Sequence, residues 1–166
     1  LHDPRYAGHQ VAVPLPQLAW LQAATALLNN GMAIDEMGPA SSPMEEAVMQ
    51  ELARFMGLGS ASSGILCHGG TLANLTALLA ARQRKASGNA WKNGSARPCA
   101  VLVSEQAHYC VDRAVRVMGW GAAGTVKVRT LGNHQIDPEA VQEAHAEATD
   151  QGMEVIAVVG NACTTS

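Results

Sequence analysis

Three short segments carry the residue types from which a reactive site can be built. The first is Cys67-His68-Gly69-Gly70-Thr71-Leu72-Ala73-Asn74, two glycines running into a helix-forming stretch. Glycines let a backbone approach a ligand closely, and a helix that starts there aims free N–H groups and the positive end of its dipole outward. With the Thr71 hydroxyl at the cap, a phosphate fits there; a plain Gly-Gly turn with a threonine N-cap fits as well. The second segment is Ser104-Glu105-Gln106-Ala107-His108-Tyr109. His108 can act as a cap or a satisfied polar group, move a proton, or present a flat ring that stacks on a planar cofactor. Gln106 and Tyr109 are equally open. The third, Gly160-Asn161-Ala162-Cys163-Thr164-Thr165-Ser166, offers hydroxyls for an anion or a cofactor substituent, or simply a turn. Cys163 reads as a nucleophile or, more simply, as an unactivated thiol.

Other chemistries lack their patterns. Neither G-x-G-x-x-G nor G-x-x-x-x-G-K-[ST] occurs, so dinucleotide and Walker-type nucleotide sites are not indicated. His2, His9 and His134 fall in arm or loop positions, and His145 has no histidine one turn away, so no metal site is expected. Cys67, Cys99, Cys110 and Cys163 show no C-x-x-C spacing, which reads as reduced thiols in a cytoplasmic protein. Eleven Lys and Arg against fourteen Asp and Glu leave a net charge of −3 with no basic run, which argues against nucleic acid as a partner. No apolar stretch approaches the ~20 residues that span a bilayer, and no leader pattern is visible, so no membrane partner is expected.

The elements that must position these segments follow from pattern. Residues 1–13 read as an extended arm. Apolar spacing predicts a helix from Leu18 to Asn29, stopped by Asn29-Asn30-Gly31. Ser42-Pro43-Met44-Glu45 predicts a second helix, with Ser42 as cap, Pro43 at its first position and Glu45 completing a capping box, ending near Gly57. The loop Glu36 to Ala40 precedes it. The pattern then alternates: a strand at Ser63–Cys67, a helix at Thr71–Lys85, a Gly/Asn/Ser-rich linker at Ser87–Pro98 and a strand at Cys99–Ser104. A helix over about 107–118 and a strand at Thr125–Leu131 come next. A helix opened by Asp137-Pro138-Glu139 runs to about Asp150, and Glu154–Val159 reads as a strand buried on both faces. This rhythm predicts an α/β fold with a parallel sheet of about four strands, whose ligands sit at the carboxyl ends of the strands. The start at Leu1 and the stop just after an apolar run read as a piece of a longer protein.

Taken in order, these segments resemble the pyridoxal-phosphate-dependent group II amino-acid decarboxylases, which include the glutamate, aromatic-amino-acid and 2,4-diaminobutyrate enzymes. The matching stretches are His2-Asp3-Pro4-Arg5-Tyr6-Ala7-Gly8-His9, Leu28-Asn29, Gly38-Pro39-Ala40 with Met44-Glu45, His68 to Leu75, Ser104 to Tyr109, and Cys163-Thr164-Thr165. The resemblance implies an N-terminal arm and helices (1–57) followed by part of the fold type I large domain (58–166). It implies decarboxylation of an L-amino acid in a cytoplasmic homodimer with pyridoxal 5'-phosphate as cofactor. Gly70 and Thr71 would hold the cofactor phosphate, and His108 would stack on the ring and serve as the catalytic proton-transfer group. Thr164 and Thr165 would contact ring substituents, while Tyr6, His9, Pro39 and Ala40 would line the substrate entrance. The family also places an aspartate on the pyridine nitrogen and a lysine in Schiff-base linkage beyond the Thr-Thr segment. Lys85, Lys92 and Lys127 match no His-Lys pair, so these 166 residues alone are expected to be inactive. Two departures stand out: Cys163-Thr164-Thr165 replaces the usual Gly-Thr-Thr, and Asp3 interrupts the usual His-Pro. Two other readings remain open: a non-catalytic remnant serving binding or dimerisation, and another fold type I enzyme such as an aminotransferase.

Overall fold

The computed structural model describes Asp3, Arg5 and residues 14–162, which cluster into two units, Leu1–Leu66 and Cys67–Ser166. In the first unit, helix α1 (Gln17–Leu28) closes at Asn29, whose φ of 45° is the left-handed turn that the Asn-Asn-Gly signal predicts. Helix α2 (Ser41–Phe55) starts before the expected cap. Its N-cap is Ala40, and no side chain caps it. The Ser42–Glu45 capping box does not form, because the Ser42 N–H already donates to the Gly38 carbonyl at 3.0 Å. The Glu45 carboxylate instead accepts the Leu66 N–H at 2.5 Å. The loop before α2 is tight: a Cβ on Gly38 would lie 2.7 Å from the Gly31 carbonyl oxygen. Across it, the Asn30 amide donates to Ser41 Oγ at 2.6 Å.

The strand expected at Ser63–Cys67 is absent; these residues have no strand assignment. Ile65 and Leu66 are exposed, and the Leu66 N–H is taken by a carboxylate rather than by a neighbouring strand. Apolar side chains alone cannot make a strand without a ladder partner.

In the second unit, helix α3 (Gly70–Lys85) leads through the expected linker, which holds one short helix, α4 (Ala90–Asn93), capped by the Asn89 side chain. Strand β1 (Cys99–Ser104) follows, then α5 (Cys110–Val117), β2 (Thr125–Val128), α6 (Pro138–Asp150) and β3 (Glu154–Val159). Among the described residues the sheet has three strands rather than about four, all parallel, in the order β2-β1-β3. Every residue of β1 is buried, as a central strand with both faces covered must be. Val101 and Val103 meet Leu78 of α3 and Val111, Ala114 and Val115 of α5. Leu102 faces the other way, against Val128 and Ala140 of α6. Replacing Leu102 with Ala would cost about 2–5 kcal/mol in so closed a site.

Two strands depart from expectation. β2 stops at Val128 instead of Leu131, because the Arg129 carbonyl accepts the Asp137 N–H, the Thr130 N–H donates to the Glu105 carboxylate, and the chain turns back through a Thr130–Ile136 bridge. β3 is not covered on both faces: Val158 is 52% exposed, β3 being, like β2, an edge strand among the described residues. Its register slips between Ala100 and Val101, which pair with Val155 and Ala157. Ile156 is thereby left to pack against Ala86, Ala90 and Cys99.

Candidate functional site

Parallel strands put all their carboxyl ends on one edge of the sheet, and two of the three sequence segments meet there in described form. The first is the Gly69-Gly70 turn. Gly69, not Thr71, is the N-cap of α3, with φ 87° and ψ 155°, a backbone state that only glycine adopts readily. Thr71 therefore lies inside the first turn, and the threonine-cap reading is corrected. The first intrahelical bond runs from Ala73 N–H to the Gly69 carbonyl, so the N–H groups of Gly70, Thr71 and Leu72 precede it. A Cβ added at Gly69 or Gly70 would meet no atom within 4 Å, which leaves an open approach to those donors. No acidic residue stands in this turn, whereas Arg82, Arg84 and Lys85 close the helix at its other end. Those features suit an anion at the amino end.

The second segment forms the exit from β1. Ser104 is buried, and its hydroxyl accepts the Gln106 N–H at 3.1 Å. The helix expected from about residue 107 begins only at Cys110, because His108 takes over the first-turn donor: its Nδ1 accepts the Cys110 N–H at 3.2 Å. In the neutral ring that bond leaves the hydrogen on Nε2. The His108 ring is exposed and lies 4.2 Å from the Tyr109 ring, tilted by 35°. The Arg113 guanidinium sits 4.7 Å over the opposite partner of that pair, Tyr109. His108 is thus both a local cap and a ring with a free nitrogen.

What joins the two segments is Asn74. It follows Gly70 by four residues and stands on the same helix face, and its amide donates to Cys110 Sγ at 3.1 Å. Leu75 and Ala107, one from each segment, pack on the same apolar cluster. The sequence placed Asn74 in the glycine-turn segment but gave no sign of its link to Cys110. A second clamp carried no signal: the Glu105 carboxylate accepts both the hydroxyl, at 2.7 Å, and the N–H of Thr130. Those two Thr130 bonds hold the Glu105 carboxyl below its ordinary range. A cleft of about 620 Å³ also opens at this edge, lined by Ser104, Gln106, His134, Ile136, Gly160 and Asn161. Gly70, Thr71 and His108 do not line it.

Of the remaining expected site residues, Pro39 and Ala40 are exposed in the first unit, beside a cleft of about 640 Å³ that Asp35, Glu36 and Glu46 also line. Tyr6, His9, Cys163, Thr164 and Thr165 lie outside the described residues.

Residues 17–166 match the model of the pyridoxal-dependent decarboxylase conserved domain. An L-2,4-diaminobutyrate decarboxylase of Acinetobacter baumannii is 30% identical, the alignment covering 99% of this chain and 35% of that protein. An aspartate 1-decarboxylase of Aliivibrio fischeri is 28% identical, over 98% of this chain and 34% of that protein. Among solved structures, the glutamate decarboxylase domain of a diaminobutyrate-pyruvate transaminase and L-2,4-diaminobutyrate decarboxylase from Vibrio parahaemolyticus superposes with a TM-score of 0.82 at 25% identity, covering 93% of this chain and 35% of that one. Mouse CSAD shares the fold, with a TM-score of 0.80 at 23% identity, covering 89% of this chain and 31% of that one. The chain spans about a third of the length of the curated relatives it matches.

Proposed function

The chain belongs to the pyridoxal-dependent decarboxylase family, and on that premise we propose that it serves a carboxy-lyase reaction. In that reaction an L-amino acid loses its α-carboxylate as carbon dioxide, a proton takes the vacated position, and the amine is released. The cofactor is pyridoxal 5'-phosphate. When bound, it supplies an electron sink for the pair left on the α-carbon by the departing carboxylate. The open cradle at Gly69 and Gly70, with N–H groups unpaired among the described residues and no acid in the first turn, supports binding of its phosphate by Gly70 and Thr71. His108 would stack its ring on the pyridine and offer a proton from Nε2, its Nδ1 being engaged by the Cys110 N–H. By resemblance, Thr164 and Thr165 would contact the ring substituents. Tyr6, His9, Pro39 and Ala40 are likewise assigned by resemblance to the substrate entrance of a cytoplasmic homodimer.

The observation that carries this reading is the Asn74–Cys110 bond, which ties the anion-binding end of α3 to the His108 loop in a chain of this family. Activity belongs to a protein of the relatives' length. Lys85 ends α3 and Lys92 lies in α4, whereas Lys127 is exposed next to the carboxyl end of β2; none of the three belongs to a His-Lys pair.

Release of labelled carbon dioxide from carboxyl-labelled L-2,4-diaminobutyrate, aspartate, glutamate and aromatic amino acids tests the proposal. Release from one of these, with the matching amine, is expected. Replacing His108 with Phe keeps a ring but removes the nitrogen, so kcat should fall by about 10²–10⁴ with little change in melting temperature. No release from any of them, or formation of a keto acid instead of an amine, would overturn the reading.

A further inference from the structure

We propose that the amino-terminal edge of the sheet carries an anion site, formed around Arg82 and Arg97, for a small ligand bearing a phosphate or a carboxylate. This edge is opposite the His108 loop, and the inference does not depend on the decarboxylase reading. Three chain segments that enter strands converge there: Pro98 and Cys99 at the start of β1, Gly124 before β2, and Met153 before β3. They enclose a cleft of about 470 Å³, whose lining includes Arg82, Arg97 and Trp120. Arg82 reaches it from the last turns of α3. Its Nε is wholly enclosed and has no hydrogen-bond partner among the described residues. An enclosed guanidinium N–H without an acceptor is costly, and such a group in a native fold calls for an explanation.

Charge points the same way. Two guanidinium groups line the cleft and no carboxylate does, in a chain whose net charge is −3. The nearby acid, Glu154, has its carboxylate hydrogen-bonded by the Ser87 N–H at 2.8 Å and the Ser87 hydroxyl; it acts on Arg97 through charge alone, and no hydrogen bond joins the two. The rim is fixed by the Trp120 indole N–H, which donates to Ser95 Oγ at 3.3 Å. A planar fork with an unused donor, beside a second guanidinium, is the geometry that takes phosphate or carboxylate oxygens.

Calorimetric titration of the full chain with inorganic phosphate, and in a second arm with glutarate, tests this at ionic strength held constant with sodium chloride. All titrations are run on a Gly70→Ala background, so that capture at the amino end of α3 is not counted. Saturable binding of one of the two anions is expected, which also identifies the ligand class. Arg82→Met should weaken it at least tenfold, and Arg97→Gln should weaken it measurably. Without added anion, Arg82→Met should melt no lower than its parent, because the buried donor it removes has no partner. Failure of both anions to saturate, or binding by both arginine variants that equals that of the parent, would overturn the proposal.

Discussion

Gly69 and Gly70 are adjacent, yet their backbones ask for glycine to different degrees. Gly69 has φ 87°, where a side chain strains the chain by about 1–3 kcal/mol, whereas a Cβ at Gly70 enters a helical first turn with open space around it. Gly69→Ala should therefore lower the melting temperature and weaken pyridoxal phosphate binding together. Gly70→Ala should leave the melting temperature unchanged or slightly higher, while its methyl group stands over the N–H groups proposed to hold the phosphate. Thermal melts beside cofactor titrations separate the two effects, and Gly70→Ala binding cofactor as the parent does would move the phosphate elsewhere. At this scale the sequence was partly legible. The Gly-Gly-Thr segment announces a helix start because glycine has a local conformational reason to be there. Asn74 and Glu105 act through Cys110 and Thr130, 36 and 25 residues away, and no local pattern encodes such partners.

Whole elements were legible wherever one local cause decides them. β1 and β3 fall where continuous apolar runs place them, and α6 begins at Asp137-Pro138, whose cap is local: the Asp137 carboxylate accepts the Glu139 N–H at 3.0 Å. The starts of α2 and α5 and the coil at 63–67 were not legible, because the Gly38 carbonyl, the His108 ring and the Glu45 carboxylate compete for backbone donors. The α6 cap also sets a pH dependence. Burial raises the Asp137 carboxyl, but the Glu139 and Ala140 N–H groups and the Arg129 guanidinium outweigh it, so the group lies below its ordinary value. A depressed folded value gives stability that is present above the unfolded carboxylate value of about 4 and is lost as pH falls through the folded one. Asp137→Ala should thus melt several degrees below the parent at neutral pH, with the gap closing on acidification below about pH 4. A gap that persists unchanged in acid would mean that the carboxylate charge contributes nothing.

On the scale of the molecule, the described residues leave apolar surface without a partner. Trp20 in α1 and Phe55 in α2 are 81% and 86% exposed, and β3 presents an open edge with Val158 outward. Unpaired strand edges and contiguous apolar faces drive association. Sedimentation velocity on the 166-residue chain should show concentration-dependent self-association, reduced by Val158→Lys; a monodisperse monomer at all concentrations would contradict that expectation. The chain covers about a third of its curated relatives' length, and none of its three lysines follows a histidine. The central claim is that Gly70, Thr71 and His108 hold the cofactor of a decarboxylase whose lysine lies outside these residues. Borohydride reduction of the native protein in the presence of pyridoxal phosphate, followed by intact mass and peptide mapping, tests it most directly. One cofactor adduct per chain is expected, on a protein longer than 166 residues and on a lysine other than Lys85, Lys92 or Lys127. A native protein with no adduct, or one modified at any of those three lysines, would contradict it.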